Sequence, residues 1–566
     1  MPDLSRLLSV PYLLSVYITG ICAIFQLRSS PFTLFVALPI STMSSTEEQA
    51  VDDAEKSISE HTNKDGTLHQ AELGPKPQRE HFFSPLDSRY AEAVHRDAEM
   101  VEYTPEEESK VRRKIDNTVL PLVVCSYVFN QFDRNNIGNA HVIKAFNENY
   151  DITTNNRWTL ALSVFYVGYC LLEMPANVLQ RHIGANRFFF ISLTFWGLAS
   201  LSFVYAKGYA GLLVLRVLMG IGEAGYYAGM IYYLSFWYRR NELAMRISLC
   251  MTGTLPGAIG GLLAFGLVRA HTSLLEGWQF LFLIEAIPTL IMALMILLFL
   301  PSFPFSATFL SPRERAIAQA RLNRDHKPQS HGGMNGWDGF KAVISDINSW
   351  LFLIVYAGFN VGSATVSYFL PTLIKNLGFS SINAQGLTVA PYVVGWFMVF
   401  AQSWHSDRTK DRGWHIMASS AIALVGYIIL ATSVQKSVGA AYFALFLVVG
   451  GVYSLFPLVM SWAANAFSPT SKRGVGTAFI VSISNCISIA APQIYFDPED
   501  EFRKGHAISA AALFLTFLMA FILRTRLTLL NKRNRNSLAA LSKEEKAKLG
   551  EKEEIWDNDP RYVFMT

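Results

Sequence analysis

The chain has 566 residues, of which 51% are hydrophobic, 13% are aromatic and only 16% are charged, and its net charge at pH 7 is +4. So few charged residues cannot cover the several soluble domains that a chain of this length would form. The small net charge argues against a nucleic-acid binder held by phosphate contacts. The five cysteines lie in apolar stretches without a Cys-x-x-Cys pair, which argues against a disulfide framework or a zinc site. The composition indicates a polytopic membrane protein.

Residues 1–42 form an apolar N-terminal extension, in which the stretch 7–27 is uncharged and long enough to span a membrane. A signal peptide or a span entering from the cytoplasm would invert every later helix. Because an acidic stretch typical of a protein start begins at Met43, we predict that translation begins there and that residues 1–42 are a gene-model artefact. An interfacial or hairpin segment is the alternative. Residues 43–112 are predicted to be a disordered cytoplasmic tail.

Twelve apolar stretches follow, each close to the roughly 20 residues that a membrane-spanning helix needs. We number them spans 1–12: 118–140, 158–179, 188–206, 210–236, 245–267, 277–300, 350–373, 389–404, 415–434, 438–463, 475–495 and 506–522. They predict an N-terminal six-helix bundle (113–300), a central loop (301–349), a C-terminal six-helix bundle (350–530) and a mobile tail (531–566). Two pseudo-symmetric halves of six spans are typical of secondary transporters. The predicted fold class is therefore an all-α membrane protein.

The basic residues of the loops predict the orientation of these spans. One side of the membrane holds about 25 Lys and Arg and the other about eight, which places both termini and the central loop in the cytoplasm. Ser311, Pro312 and Glu314 form a capping-box pattern that predicts a short helix over 316–323, and Ser542 with Glu545 predicts another in the tail. The chain contains no phosphate loop of the GxxxxGK[ST] type, which excludes an ATP-driven pump of that kind.

Ionisable side chains inside spans are costly, by about 2.5 to 3.5 kcal/mol on insertion scales, and are therefore functional candidates. All of them lie in the N-terminal half: Asp133, Arg134, Glu173, Arg216, Glu223 and Glu285. Arg216 and Glu223 are seven residues apart and share a helix face. If spans 1 and 4 line one cavity, Asp133, Arg134, Arg216 and Glu223 meet there, where guanidiniums bind an anion and carboxylates carry protons.

Other interpretations of these charges stay open. The pairs Asp133–Arg134 and Arg216–Glu223 could merely neutralise one another. Glu173 is expected to brace loop contacts, and Glu285 is expected to pack against the end of a neighbouring helix. Asn360, Ser363, Ser367, Tyr368, Tyr453 and Asn485 could complete a pocket from the second half, or could be satisfied interhelical hydrogen bonds. Glycines in spans 4 and 5 predict close helix packing: Gly220, Gly222, Gly225, Gly229, Gly253, Gly257, Gly260 and Gly261.

Four segments together resemble one branch of a known superfamily: residues 133–140 (DRNNIGNA), 166–177, 216–225 and 277–285. They resemble the anion:cation symporters of the major facilitator superfamily, and most closely the fungal allantoate permease group, which includes nicotinate, pantothenate, biotin and ureidosuccinate carriers. The resemblance covers about residues 110–530. It implies that Asp133 and Glu223 carry protons and that Arg134 and Arg216 contact the substrate carboxylate.

The signature loop of the superfamily is present twice, but unevenly. Asp407, Arg408 and Arg412 follow span 8 and fit the pattern. The loop after span 2 keeps Gly184 and Arg187 but has Arg181 where the general pattern has an acid. The resemblance implies that this loop pair latches the outward-facing state on the cytoplasmic side.

The sequence thus predicts proton-coupled uptake of a small organic anion, such as a vitamin carboxylate or a ureido acid, by alternating access. The substrate-binding residues are predicted to be Arg134, Arg216, Asn360, Tyr368 and Asn485. We expect a monomer in the plasma membrane, without cofactor, metal or nucleic acid. The alternatives are efflux of a secondary metabolite or drug, since residues 253–261 partly match an antiporter motif, and a non-transporting nutrient receptor. An enzyme is disfavoured because no nucleophile–base arrangement is visible.

Overall fold

The computed structural model describes residues 101–239, 242, 246, 254–269, 275–325, 336–468, 470–542, 557 and 559–566. The predicted N-terminal extension, most of the N-terminal tail, Gly253 and the capping-box residue Glu545 lie outside these residues. Within them, every regular element is a helix.

The described helices of the N-terminal half are α1 Pro105–His141, α2 Lys144–Asn149, α3 Asn155–Ile183, α4 Ala185–Ser202, α5 Gly208–Glu223, α6 Tyr226–Ser235, α7 Thr254–Leu267 and α8 Gly277–Phe299. A 3-10 turn, Pro304–Ser306, and the helices α9 Pro312–Asp325 and α10 Gly336–Ser345 form the connection between the halves. The C-terminal half contains α11 Ile347–Asn376, α12 Ser381–Leu387, α13 Val389–Thr409, α14 Gly413–Ser433, α15 Val438–Ala466, α16 Thr470–Ile487, a 3-10 turn Ala491–Ile494 and α17 Arg503–Ala540.

Eight helical segments of the described chain are long and apolar enough to cross a membrane, and they coincide with predicted spans 4 and 6–12. Helices α1, α3 and α4 lie at spans 1–3, and the shorter apolar helix α7 lies at span 5. Helix α1 has a low mean hydropathy partly because Asp133, Asn135 and Asn136 interrupt it, yet these side chains are buried inside the bundle. The all-helical architecture is confirmed, whereas the count of twelve spans stays a prediction.

The two helices of the segment that connects the halves pack against different halves. As predicted, Ser311 and Glu314 form a capping box: the Glu314 carboxylate accepts from the Ser311 N–H (2.9 Å) and the Ser311 hydroxyl from the Glu314 N–H (3.3 Å). Helix α9 packs against α1, where the fully buried Arg321 forms ion pairs with Glu108 and Glu242. Helix α10 packs instead against α16.

Regular structure continues beyond the predicted spans at both ends of the described chain. Helix α1 begins at Pro105, inside the predicted N-terminal tail, because Thr104 and Glu107 form a capping box. Helix α17 continues to Ala540, and the last residues of the chain pack against the C-terminal half. Asn531 exchanges two 2.8 Å hydrogen bonds with the backbone of Phe564, and the Arg412 N–H donates to the carbonyl of Thr566 (2.7 Å).

The contacts between the halves concentrate at one end of the molecule. We call the end at which α1 ends and α3 begins the outer end, and the opposite end the inner end, following the predicted orientation. Hydrogen bonds join the halves at the outer end: Gln385 donates to the carbonyl of Asn139 (3.0 Å), Lys375 to that of Val142 (3.1 Å) and Asn155 to that of Tyr495 (2.7 Å). Helices α7 and α13 also approach closely, since a Cβ on Gly257 would lie 2.6 Å from the Tyr392 ring.

At the inner end, ion pairs join segments of the same half. Arg246 pairs with Asp116 in the N-terminal half (2.8 Å), and Arg524 pairs with Asp411 in the C-terminal half (2.9 Å). Each half is therefore stabilised separately at this end and the two are joined at the other. In an alternating-access transporter, contacts between the halves at the outer end alone are expected when the outer side is closed.

Oxidative cross-linking tests the contact between the halves, because Cys170 of α3 interacts with Cys486 of α16. We insert a protease site in the segment 326–335, oxidise membranes and cleave. We expect the fragments to stay linked in non-reducing electrophoresis and to separate after reduction. Cys170→Ser should abolish the link, and Cys125→Ser, which removes a thiol buried in the N-terminal half, should leave it intact. Separate fragments from the oxidised unsubstituted protein would contradict the contact.

Candidate transport site

A cavity with about 960 Å³ of space, part of it open to solvent, lies between the two halves. Aromatic rings form much of its wall: Tyr127, Tyr166, Tyr169, Tyr227, Tyr356, Tyr453, Phe359 and Phe456. The polar part of the lining consists of Asn130, Gln131, Arg134, Thr254, Asn360, Ser363, Ser367, Asn485 and Ser488. Among the described lining residues, Arg134 carries the single charge. The cavity is therefore a largely aromatic chamber with one cationic position.

Arg134 on α1 forms an ion pair with Glu223, the last residue of α5. The Nε and one terminal nitrogen of Arg134 donate to the same Glu223 oxygen, at 3.1 and 2.7 Å. The Arg134 side chain is 22% exposed and the Glu223 side chain 0%. The guanidinium also lies over the Phe165 and Tyr169 rings, 5.1 and 5.5 Å from their centroids. Removing one partner of such a buried pair costs about 3–5 kcal/mol, because the other charge is then uncompensated.

A break in predicted span 4 positions Glu223. Helix α5 ends at Glu223 and α6 begins at Tyr226, and Gly225 between them has φ +73°, a left-handed conformation that favours glycine. A Cβ on Gly225 would also lie 2.7 Å from the Cβ of Ala176. Discontinuous helices near the middle of the membrane are typical of transporter binding sites. Here the break places a carboxylate at the end of α5, beside Arg134 of α1.

Arg216 lies one residue layer behind the cavity wall. It is fully buried, its Nε donates to the carbonyl of Ala161 (3.2 Å), and its two terminal nitrogens have no hydrogen-bond partner among the described residues. Its guanidinium carbon is 4.6 Å from the Phe165 centroid and 5.8 Å from that of Tyr368. Tyr368 in turn donates from its hydroxyl to that of Tyr166 in the cavity wall (3.3 Å). The two terminal nitrogens of Arg216 are thus available as hydrogen-bond donors to a ligand.

Asp133 points away from the cavity, so the four predicted charges do not share one chamber. Its carboxylate accepts hydrogen bonds from Trp196 (3.1 Å), Ser200 (2.9 Å) and Thr289 (2.9 Å), on α4 and α8. Successive residues of an α-helix point about 100° apart, so Asp133 and Arg134 face different neighbours. Glu223 pairs with Arg134, rather than with Arg216 as the neutralisation hypothesis assumed.

Glu173 contacts the opposite half instead of a neighbouring loop. Its carboxylate oxygens accept from Asn485 on α16 at 3.3 and 3.4 Å, and Asn360 of α11 donates to the Asn485 carbonyl oxygen at 3.4 Å. Of the predicted substrate-binding residues, Arg134, Asn360 and Asn485 line the cavity, whereas Arg216 and Tyr368 lie behind its wall. The arrangement links the halves across the cavity through neutral amides.

The two signature loops lie at the inner end. Arg181 is in the last turn of α3, and Gly184 follows that helix with φ +88°. Arg187, in the first turn of α4, is buried. In the second loop, Asp407 pairs with Arg412, and Arg408 lies 4.9 Å from the centroid of Trp404. The acid–base contact of the second loop is therefore internal to it, and the latch between the loops stays a prediction.

Most of the aromatic wall was not predicted, because charged residues inside the spans do not indicate aromatic side chains. The signal was a spacing of three and four residues, which places side chains on one helix face. Two such series line the cavity or contact it: Tyr166, Tyr169 and Glu173 on α3, and Tyr356, Asn360, Ser363 and Ser367 on α11.

Residues 123–492 match the family model of the Major Facilitator Superfamily. The chain is 32% identical to the MFS transporter prlL of Fungal sp. (strain NRRL 50135) over 73% of this chain and 85% of that protein. It is 33% identical to the MFS-type transporter efuF of Hormonema carpetanum (67% and 76%), and 32% identical to the major facilitator-type transporter hxnP of Emericella nidulans (68% and 78%). The chain therefore belongs to the Major Facilitator Superfamily.

Solved structures show the same fold. A bacterial homologue of the human lysosomal transporter Spinster, in an inward-facing and unoccupied conformation, superimposes with a TM-score of 0.57 at 15% identity, covering 74% of this chain and 98% of that one. A D-xylose-proton symporter superimposes with a TM-score of 0.54 at 15% identity, covering 71% and 96%. With the family assignment, this fold identifies the protein as a multi-pass membrane transporter of the secondary type.

A substitution at the helix break tests its structural role. In Gly225→Ala, the left-handed conformation costs about 1–2 kcal/mol for an L-residue, and the new Cβ overlaps Ala176. We expect the midpoint of thermal unfolding in detergent to fall by a few degrees. Gly439→Ala is the matched control, since a Cβ at Gly439 meets nothing within 4 Å. Equal midpoints for the two variants would argue against a strained break at Gly225.

Proposed function

We propose that this transporter couples the movement of a small organic anion to that of protons, taking both up across the plasma membrane as a monomer. The observation that carries the proposal is the Arg134–Glu223 ion pair at the wall of the cavity. In this pair, the guanidinium of Arg134 lines the cavity, whereas the carboxylate of Glu223, which neutralises it, does not. The proposed substrates are compact carboxylates, such as vitamin carboxylates and ureido acids.

The coupling follows from charge balance at Arg134. When Glu223 is ionised, an anion arriving at Arg134 places two negative charges on one cation in a site of low dielectric, where repulsion is strong. When Glu223 takes up a proton, the guanidinium is released and its paired donors can bind a carboxylate. Proton and anion therefore favour one another's binding, and thermodynamic linkage makes this effect reciprocal. Symport is the transport mode that such a linkage produces.

Arg216 supplies a second position for the anion. Its two unpartnered nitrogens form a fork that fits a carboxylate, and the Tyr166–Tyr368 hydrogen bond lies between it and the cavity. Separation of these tyrosines, which belong to different halves, would connect Arg216 with the cavity. The proposed order is that the anion first meets Arg134 and reaches Arg216 as the halves move. The aromatic wall around the site suits a substrate with an apolar or planar body.

Transport assays test the role of Glu223. We screen radiolabelled vitamins and ureido acids in transporter-null yeast at acid and neutral external pH. Uptake that is coupled to protons should rise as the external pH falls. Couplings of this kind amount to about 1–3 kcal/mol, or about 5- to 150-fold. In Glu223→Gln, we expect the acid stimulation to disappear while exchange of labelled for unlabelled substrate persists.

The exposed glutamate Glu148, which pairs with Lys144 at the outer end, provides the control variant Glu148→Gln, whose pH profile should equal that of the unsubstituted protein. Normal acid-driven accumulation by Glu223→Gln would refute the coupling. Labelled substrate leaving acid-loaded cells against its gradient, without uptake in either condition, would favour efflux instead.

A conservative substitution tests Arg216. Arg216→Lys keeps the positive charge but loses the planar fork, so we expect the KM for the anion to rise about tenfold, which corresponds to about 1.4 kcal/mol. Arg157→Lys, at the outer end, should leave KM unchanged, because Arg157 lies outside the cavity lining and contacts the Tyr209 ring. An unaltered KM in Arg216→Lys would remove Arg216 from the anion path.

A further inference from the structure

A second pair of carboxylates lies away from the cavity, where α1, α4 and α8 meet. Asp133 is 1% exposed and its three hydrogen-bond donors are Trp196, Ser200 and Thr289. The Thr289 hydroxyl oxygen also lies 3.1 Å from the backbone carbonyl oxygen of Glu285, one turn earlier on α8, so its single hydrogen has two acceptors within reach. Glu285 therefore lies on the side of α8 that faces Asp133, where two ionised carboxylates would repel one another.

The Glu285 carboxyl group has no hydrogen-bond partner among the described residues. Its residue is 1% exposed, and neither oxygen finds a hydrogen-bond donor in the part of the chain that the structure describes. Neither Arg134 nor Arg216 contacts Glu285, since Arg134 pairs with Glu223 and the Arg216 guanidinium lies against the Phe165 and Tyr368 rings. Asp133, Arg134, Arg216 and Glu223 already balance in charge. An ionised Glu285 would add an uncompensated negative charge beside Asp133, which proteins avoid in their interior.

We propose that Asp133 and Glu285 form a second proton-binding site, in which one proton is held between the two carboxyl groups. The proton is assigned to Glu285, because the Asp133 carboxylate has three donors within hydrogen-bond distance and the Glu285 carboxyl group has none among the described residues. Transfer breaks the O–H bond of Glu285 and forms one on Asp133, so the pair keeps a single negative charge. The inference rests on the proposed proton coupling and adds a titratable position to it, next in the chain to Arg134.

The donors around Asp133 indicate a proton rather than a metal cation. The indole N–H of Trp196 can only donate, and the hydroxyls of Ser200 and Thr289 lie at donor distance from the Asp133 carboxylate. A hard cation such as Ca²⁺ requires six or more oxygen ligands with free lone pairs. A carboxylic acid requires only one acceptor, which Asp133 offers.

The charged groups near this site are few on every helix packed against α8. Helix α1 contributes Asp133, with Arg134 and its partner Glu223 on the far side. Helix α4 contains one charged residue, Arg187, in its first turn, more than two turns from Trp196, and α7 contains none. The ionisation of the pair is therefore governed by its two members and by Glu223.

Infrared difference spectroscopy on the purified full-length protein in liposomes tests the proposal without a substrate. We expect a carbonyl band of a buried protonated carboxylic acid, shifted in D₂O and lost when the pH is raised. Glu285→Gln should remove this band, Glu285→Asp should shift it, and Glu148→Gln should leave it unchanged. Absence of the band, or its persistence in Glu285→Gln, would overturn the proposal. A band removed by Na⁺ at constant pH would overturn it in favour of a cation site.

Uptake of the substrate found by the panel gives the second readout. We expect Glu285→Gln to retain substrate exchange and to reduce the ratio of acid to neutral uptake at least about fivefold, at the lower end of couplings between sites. A ratio equal to that of the unsubstituted protein would overturn a role in coupling. If the unsubstituted protein itself shows no acid stimulation, the proposed function fails while the infrared result still decides whether Glu285 holds a proton.

Discussion

The ion pair between Arg134 and Glu223 is the interaction on which the proposed transport site depends. Removing a charge from water costs several kcal/mol even after relaxation, so α1 and α5 can bury these side chains only in contact with one another. The break after Glu223 provides the geometry, and the exposure of the pair is uneven, since the cation meets the cavity and the carboxylate does not. The strength of the positive site presented to a substrate is therefore set by the ionisation of a buried neighbour.

The two ends of the molecule use different interactions, and this difference permits motion between the halves. Hydrogen bonds to backbone carbonyls, such as that from Gln385 to Asn139, join the halves at the outer end and can be exchanged for water at modest cost. The ion pairs of the inner end, such as that between Arg524 and Asp411, lie within one half and need not break. The contacts within each half therefore need not change when those between the halves are exchanged, which is what the proposed alternating access requires.

Hydropathy and spacing predicted most of the fold, because apolar stretches near 20 residues have few other solutions and because the capping box at Ser311 acts locally. The orientation of side chains is harder to predict from the sequence. Asp133 and Arg134 are adjacent, and a helix turns them to different faces, so a chain position inside a span does not place a charge in the cavity. The break at Gly225 and the order of the C-terminal residues depend on tertiary contacts, with Ala176 and with Asn531, that periodicity does not encode.

The charges inside the spans all belong to the N-terminal half, and the C-terminal half contacts them through neutral side chains. Asn485 meets Glu173 across the cavity, and an amide can donate to an ionised carboxylate or accept from a protonated one. An arginine in its place would hold Glu173 ionised and would bind the halves together with a desolvated ion pair that costs about 3–5 kcal/mol to break. A neutral partner leaves the contact between the halves intact in either protonation state and cheap to exchange. The charge of Glu173 can therefore change without an ion pair forming between the two halves.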